Sequence, residues 1–148
     1  MSSRRDFLKN TSGVIAACAT GAMASYLESC TSIKYVSAVE KDGKLTVSKP
    51  EFGDQLFVIV KSRATPFPVY LAKTACKNQG GGPEIYSALL MRCTHKQCEV
   101  KPEGNILRCP CHGSEFSASG KVLKEPAFAD LQQFAVTHDD HIIYINLK

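Results

Sequence analysis

Two short boxes, Cys93-Thr94-His95-Lys96-Gln97-Cys98 and Cys109-Pro110-Cys111-His112-Gly113-Ser114, constrain this chain more than any other feature. Each offers a thiolate and an imidazole a few residues apart, and four such ligands can hold a metal. Two kinds of site compete. A structural zinc ion accepts two cysteines and two histidines, but zinc spacing usually groups the cysteines before the histidines. Here each box supplies one of each, and zinc leaves Cys98 and Cys111 unexplained. A [2Fe–2S] cluster with two thiolates on one iron and two imidazoles on the other takes one ligand per iron from each box. The remaining cysteines, one per box, can then bridge the two loops.

The rest of the chain after residue 31 reads as short alternating runs bounded by turn residues. Strands are expected over Ile33–Val39, Lys44–Ser48, Leu56–Lys61, Val69–Ala72, Glu84–Met91, Ile106–Arg108, Leu131–Val136 and His141–Leu147. Asp42-Gly43, Gly104-Asn105 and Asp139-Asp140 supply hairpin signals, and Gly80-Gly81-Gly82-Pro83 a loop. No stretch keeps a helical period for three turns. Many short strands at close spacing imply an all-β fold, an antiparallel sandwich or barrel. A domain of residues 31–148 can bury roughly two-thirds of its chain surface, enough for one modest core.

The C-T-H-x-x-C and C-P-C-H-G-S boxes resemble the Rieske family, in its disulfide-containing branch from cytochrome bc-type quinol oxidases. The likeness extends more loosely from Pro66-Phe67-Pro68 to the terminal hairpin. It implies a Rieske-type antiparallel β sandwich with a small cluster-binding subdomain of two loops. It implies that Cys93 and Cys109 ligate the inner iron and His95 and His112 the outer one of a [2Fe–2S] cluster. Cys98–Cys111 would be the disulfide, and Ser114 would bond a bridging sulfide and raise the potential. Phe116 falls where high-potential members carry a tyrosine, so a potential below the quinol-oxidase maximum is expected. Lys96 and Gln97 stand where quinol-oxidising members have Leu and Gly. Glu125-Pro126-Ala127 resembles the proline loop that covers the cluster, with Glu for its Gly.

Neutral imidazoles in place of two thiolates lower the negative charge on such a cluster. Rieske centres accordingly lie at roughly −150 to +300 mV, above plant-type ferredoxins. An imidazole on ferric iron is also more acidic, so reduction at His95 and His112 is expected to take up protons.

The first thirty residues look like a leader. Two adjacent arginines, Arg4 and Arg5, precede an uncharged stretch from Thr11 to Leu27. Ser3-Arg4-Arg5-Asp6-Phe7-Leu8-Lys9 resembles the twin-arginine export signal. Leu27-Glu28-Ser29-Cys30 resembles a lipoprotein cleavage site with Cys30 lipidated. Ile15-Ala16-Ala17-Cys18 fits that pattern by residue type but truncates the apolar region, and an uncleaved anchor is the other route. Each tethers an exported protein to the periplasmic face of a membrane. Removing residues 1–29 takes away three basic and two acidic residues, so the net charge of +4 becomes +3. A weakly basic domain of this kind is not a nucleic-acid binder.

The resemblance implies an electron-transfer subunit, not catalytic alone, of a quinol:acceptor oxidoreductase with a cytochrome b-type partner. The alternatives are the small Rieske subunit of an exported molybdenum oxidoreductase such as arsenite oxidase, or a stand-alone periplasmic Rieske ferredoxin. Arg92, Lys96, Lys101 and Arg108 offer a basic rim for an acidic redox partner, or simply a solvated surface. Cys76 reads as a free thiol, and His138 and His141 as exposed residues outside the site.

Overall fold

The computed structural model describes residues 32–74 and 84–148. The expected leader with Cys18 and Cys30, and the segment 75–83 with Cys76, lie outside the described residues. The described strands run in chain order β1 (Tyr35–Ser37), β2 (Val39–Lys41), β3 (Lys44–Ser48), β4 (Phe57–Lys61), β5 (Val69–Thr74) and β6 (Ile85–Leu90). They continue as β7 (Lys101–Glu103), β8 (Ile106–Arg108), β9 (Glu115–Ser117), β10 (Val122–Lys124), β11 (Gln133–His138) and β12 (Ile142–Asn146). A 3-10 turn covers Lys49–Phe52, with Pro50 near its start. The all-β expectation holds among the described residues.

Eight strands form one sheet in the order β1-β4-β5-β6-β11-β12-β3-β2, and four form a second, β10-β9-β8-β7. Pairing is antiparallel except between β1 and β4. The expected strand Ile33–Val39 breaks at Ala38, whose N–H donates to Lys61 O at 2.9 Å. Its two halves are the opposite edges of the large sheet. Because one residue joins those edges, the sheet must curl until they are near neighbours. Asp42 and Gly43 turn the next hairpin with φ of 54° and 73°, the backbone that Asp-Gly adopts most readily.

Strands β4, β5 and β6 are buried on both faces, which explains their unbroken apolar runs. Val58, Val60, Val69, Leu71, Ala88 and Leu90 face a first core shared with Leu45, Val47, Phe52, Ile143 and Ile145. On the reverse face Ile59, Tyr70, Ala72, Leu89 and Met91 join a second core with Val100, Leu107, Phe116, Ala127, Leu131, Cys93 and Cys109. Three central strands therefore back the loops that carry the cysteines. By contrast β3 and β12 bury alternate residues only, as strands with one wet face do.

The small sheet shows the same division. Leu107 and Phe116 pair across β8 and β9 and are buried. A charged row, Lys101–Arg108–Glu115–Lys124, lies in register across all four strands. Arg108 binds Glu103 at 3.0 Å and Glu115 at 3.1 Å, and Lys124 reaches Glu115 at 3.5 Å. Of the basic residues expected to form a rim, Arg108 is therefore engaged within its own sheet.

At the start of β6, Glu84 takes a 2.6 Å hydrogen bond from Tyr86 Oη and ion pairs from Lys73 at 2.9 Å and Lys49 at 3.2 Å. These donors hold its carboxyl down at about 2, with the Tyr86 bond the first cause and the lysines next. A depressed acid stabilises the fold above its ordinary range and ceases to do so as pH falls through its folded value. Glu84→Gln is expected to cost about 1 kcal/mol near neutral pH, since water screens a side chain this exposed. Denaturant unfolding followed by circular dichroism should show that difference shrinking below about pH 4.5 and vanishing near pH 2. Equal stability of the two proteins at neutral pH would show that the cluster of donors contributes nothing.

Candidate metal centre

The two boxes fold into the same backbone turn. Cys93 O accepts from Gln97 N at 2.9 Å, and Cys93 N donates to Cys98 O at 2.8 Å. Sixteen residues on, Cys109 O accepts from Gly113 N at 3.0 Å, and Cys109 N donates to Ser114 O at 2.8 Å. Each turn reverses through a left-handed residue at its fifth place, Gln97 with φ 59° and Gly113 with φ 78°. A glycine meets that need without strain, whereas a side chain costs roughly 1–2 kcal/mol. Gln97→Gly is therefore expected to raise stability by about 0.5–1 kcal/mol after the added chain entropy is counted. A thermal melt of the two proteins checks this, and an unchanged or lower midpoint would remove strain at Gln97 as a factor.

The turns bring the chemistry together. The thiols of Cys93 and Cys109 are both buried, each 1% exposed. Burial pushes the Cys109 thiol up, against backbone N–H groups of Cys111 and His112 that bond its sulfur and favour the thiolate. The rings of His95 and His112 meet edge to face with centroids 4.8 Å apart. Desolvation, then the neighbouring His112 and Lys96, lower the His95 pKa and favour the neutral imidazole, which is the form that binds metals.

Cys98 and Cys111 form a disulfide between the turns, with Cα atoms 6.5 Å apart. The sulfurs of Cys98, Cys109 and Cys111 all lie within 4.8 Å of one another. Two of those three are bonded to each other and cannot act as thiolates. The thiols left free are Cys93 and Cys109 among the described residues.

A strap, residues 125–130, is tied to both turns. Ala127 N donates to the fully buried Ser114 Oγ at 3.0 Å, and Thr94 Oγ1 donates to Ala129 O at 2.6 Å. Asp130 Oδ1 accepts from Val122 N at 2.8 Å at the foot of the strap. The segment expected to cover the site is thus placed against both boxes. Thr94 escaped the sequence reading because its partner lies 35 residues away, and a lone Thr carries no sign of such a bond. Phe116 is fully buried in the core that also holds both free thiols. His138 bonds Glu84 O through Nε2 at 2.9 Å and His141 is exposed, so neither belongs to the site.

The donor set fits a [2Fe–2S] cluster. His95 Nδ1 is buried and without a partner, an arrangement that costs free energy unless something binds it. Ser114 Oγ accepts one hydrogen bond, and its own hydroxyl proton has no protein acceptor among the described residues. Two buried thiols, a buried ring nitrogen and a free hydroxyl proton suit an anionic, thiolate- and imidazole-ligated group.

The sequence profile of the Rieske [2Fe-2S] domain matches residues 31–135. The cytochrome b6-f complex iron-sulfur subunit of Chlorobaculum tepidum is 31% identical over 77 residues, 51% of this chain and 41% of that protein. The subunit of the same name from Synechococcus sp. (strain JA-3-3Ab) is 43% identical over 49 residues, 32% of this chain and 28% of that one. The chain thus matches less than half the length of these curated relatives. Among solved structures, the cyanobacterial plasma membrane Rieske protein PetC3 from Synechocystis PCC 6803 superposes with a TM-score of 0.53 at 30% identity. That match covers 67% of this chain and 94% of the other.

Proposed function

Because the chain belongs to the Rieske [2Fe-2S] domain family, we propose that Cys93 and Cys109 hold one iron of its cluster and His95 and His112 the other. We propose further that the protein passes single electrons as the iron–sulfur subunit of an exported, membrane-tethered cytochrome bc-type quinol:acceptor oxidoreductase. The observation that carries this reading is the buried, unpartnered His95 Nδ1 beside His112, on turns that also bury the two free thiols. The cluster, when bound, supplies a one-electron couple eased by its two neutral imidazole ligands.

The chain's own residues do the rest. The disulfide braces one turn against the other, and Cys109 receives two backbone N–H groups that favour its thiolate. Ser114 keeps a hydroxyl proton free to donate to the cluster, while Phe116 keeps water out but brings no hydroxyl. That last feature supports a potential below the quinol-oxidase maximum. Lys96, exposed beside His95, sits poorly against an apolar quinol, and the second reading is therefore the small subunit of an exported oxidoreductase that does not take quinol at this site, such as a molybdenum enzyme.

The test is to purify the full chain, count iron and sulfide, record the reduced EPR spectrum and measure the potential by voltammetry. Two irons, two sulfides and a rhombic signal of low average g are expected. A colourless protein containing zinc would sink the redox reading. A neighbouring gene for a haem-binding cytochrome b supports the first reading, and one for a large molybdopterin subunit the second.

A further inference from the structure

Four large apolar side chains are exposed at one corner of the large sheet: Leu56 (72% exposed), Tyr35 (56%), Ile85 (49%) and Ile33 (39%). Their strands are neighbours, since β1, β4, β5 and β6 lie side by side in that order. The pairing also puts all four at one end. Lys34 O accepts from Ile59 N and Leu56 O from Lys73 N, while Lys73 pairs with Tyr86, the residue after Ile85. From that end β6 runs six residues to Leu90 and on toward Cys93. The corner therefore stands about 20 Å or more from the cysteine turns, at the rise of an extended strand.

The chemistry of the corner suits a lipid surface. Aliphatic tips leave water readily, and Tyr35 adds a ring with a polar tip, the kind enriched where a bilayer meets water. Lys61 Nζ lies 4.4 Å from the centre of that ring, and its long stem can carry the charge out to headgroups. The other lysines close by are engaged, Lys34 with Glu51 and both Lys49 and Lys73 with Glu84. Asp54 is exposed near Leu56, and the β11–β12 turn at the same end carries the exposed Asp139, Asp140 and His141. Charge therefore gives no pull toward anionic lipid, and the attraction is apolar.

The chain itself brings a bilayer to this corner. The uncharged stretch Thr11–Leu27 and Cys30 precede Ile33 closely. Fully extended backbone can separate Ile33 from Leu27 by at most about 20 Å, and from Cys30 by at most about 10 Å. A tether of either kind keeps the corner within reach of the headgroups and makes the contact intramolecular, so that a few side chains suffice. We propose that Ile33, Tyr35, Leu56 and Ile85 form a membrane-contact rim, seated in the interface of the bilayer that tethers the chain. The inference rests on the membrane-tethered part of the functional reading. Contact there turns the cysteine–histidine turns away from the bilayer.

The chain has no tryptophan, so one introduced at the corner reports its surroundings. Leu56→Trp and, as a control on the small sheet, Leu123→Trp are made in the full, cluster-loaded chain. Each protein is reconstituted into phosphatidylcholine vesicles with and without bromine on the acyl chains, and retention on the vesicles is read separately by flotation. Emission of the Leu56→Trp protein is expected to shift to the blue and to be quenched by the brominated lipid, and that of the Leu123→Trp protein to do neither. Adding Ile33→Glu and Ile85→Glu to the Leu56→Trp protein should abolish the quenching while the chain stays on the vesicles. Adding phosphatidylglycerol should not strengthen it. A chain that fails to float with the vesicles would defeat the tether and the rim together. A retained Leu56→Trp chain that is unquenched, or quenched only on anionic vesicles, would overturn the rim and leave the tether standing. So would a blue shift without quenching that follows protein concentration, the mark of a second copy covering the corner.

Discussion

Replacing Cys98 and Cys111 together by alanine is expected to destabilise the chain by about 3 kcal/mol, the loop-closure value for a bridge of this span. The two cysteines are 13 residues apart in sequence, and the loop they close contains Cys109 and the hairpin of β7 and β8. Each turn is closed by its own backbone hydrogen bonds, so the bridge fixes where one turn lies relative to the other. Its loss should therefore show twice, in denaturant unfolding and in faster iron release to a chelator. Treating the native protein with a strong reductant should reproduce both effects. Unchanged iron retention in the double variant would mean that the strap, not the bridge, holds the turns together.

Ser114→Ala is expected to produce the second large effect. Ser114 is the one buried polar residue of the described chain, and its Oγ satisfies Ala127 N. Alanine would strand that N–H in the second core at a cost of roughly 1–3 kcal/mol. Removing the hydroxyl proton should also lower the midpoint potential. A charge-assisted hydrogen bond favouring the reduced form by about 1–2 kcal/mol corresponds to ~40–90 mV for one electron. Phe116→Tyr should move the potential the opposite way by adding a donor beside the cysteines. Voltammetry of the three proteins reads these shifts. A Ser114→Ala protein of native potential but lowered stability would leave Ser114 as a support for the strap alone.

Local features carried most of the fold in the sequence. The bounds of β3 and β8 were legible because turn residues flank them: Asp42-Gly43 before the first and Gly104-Asn105 before the second. The short strands β9 and β10 were not, since three residues give no periodicity to count. Pro102 argues against a strand, yet β7 accommodates it because β7 is the edge of its sheet. The break at Ala38 depends on closing the eight-stranded sheet, a requirement no local pattern records.

The same division holds at the site. Residue type and spacing picked out both boxes and the spare cysteine in each. Thr94–Ala129 and Ser114–Ala127 were illegible because they join segments distant in sequence. The shared turn of the boxes was hidden as well. Beyond the leading Cys93 and Cys109 their side chains differ at equivalent places, with His95 matched by Cys111 and Cys98 by Ser114, while the backbone bonds agree.

That repeated turn bears on how fast such a site can work. An electron leaves or arrives most readily when the surrounding atoms need hardly rearrange between the two charge states, because every forced displacement adds to the barrier. Ligands held on hinges would swing toward or away from the changing charge. Here each cysteine starts a turn locked by two backbone bonds, and a covalent link joins the two turns. A cluster held by these two cysteines would have its ligands kept close to one compromise geometry for both oxidation states, and the barrier set by their motion would be correspondingly low.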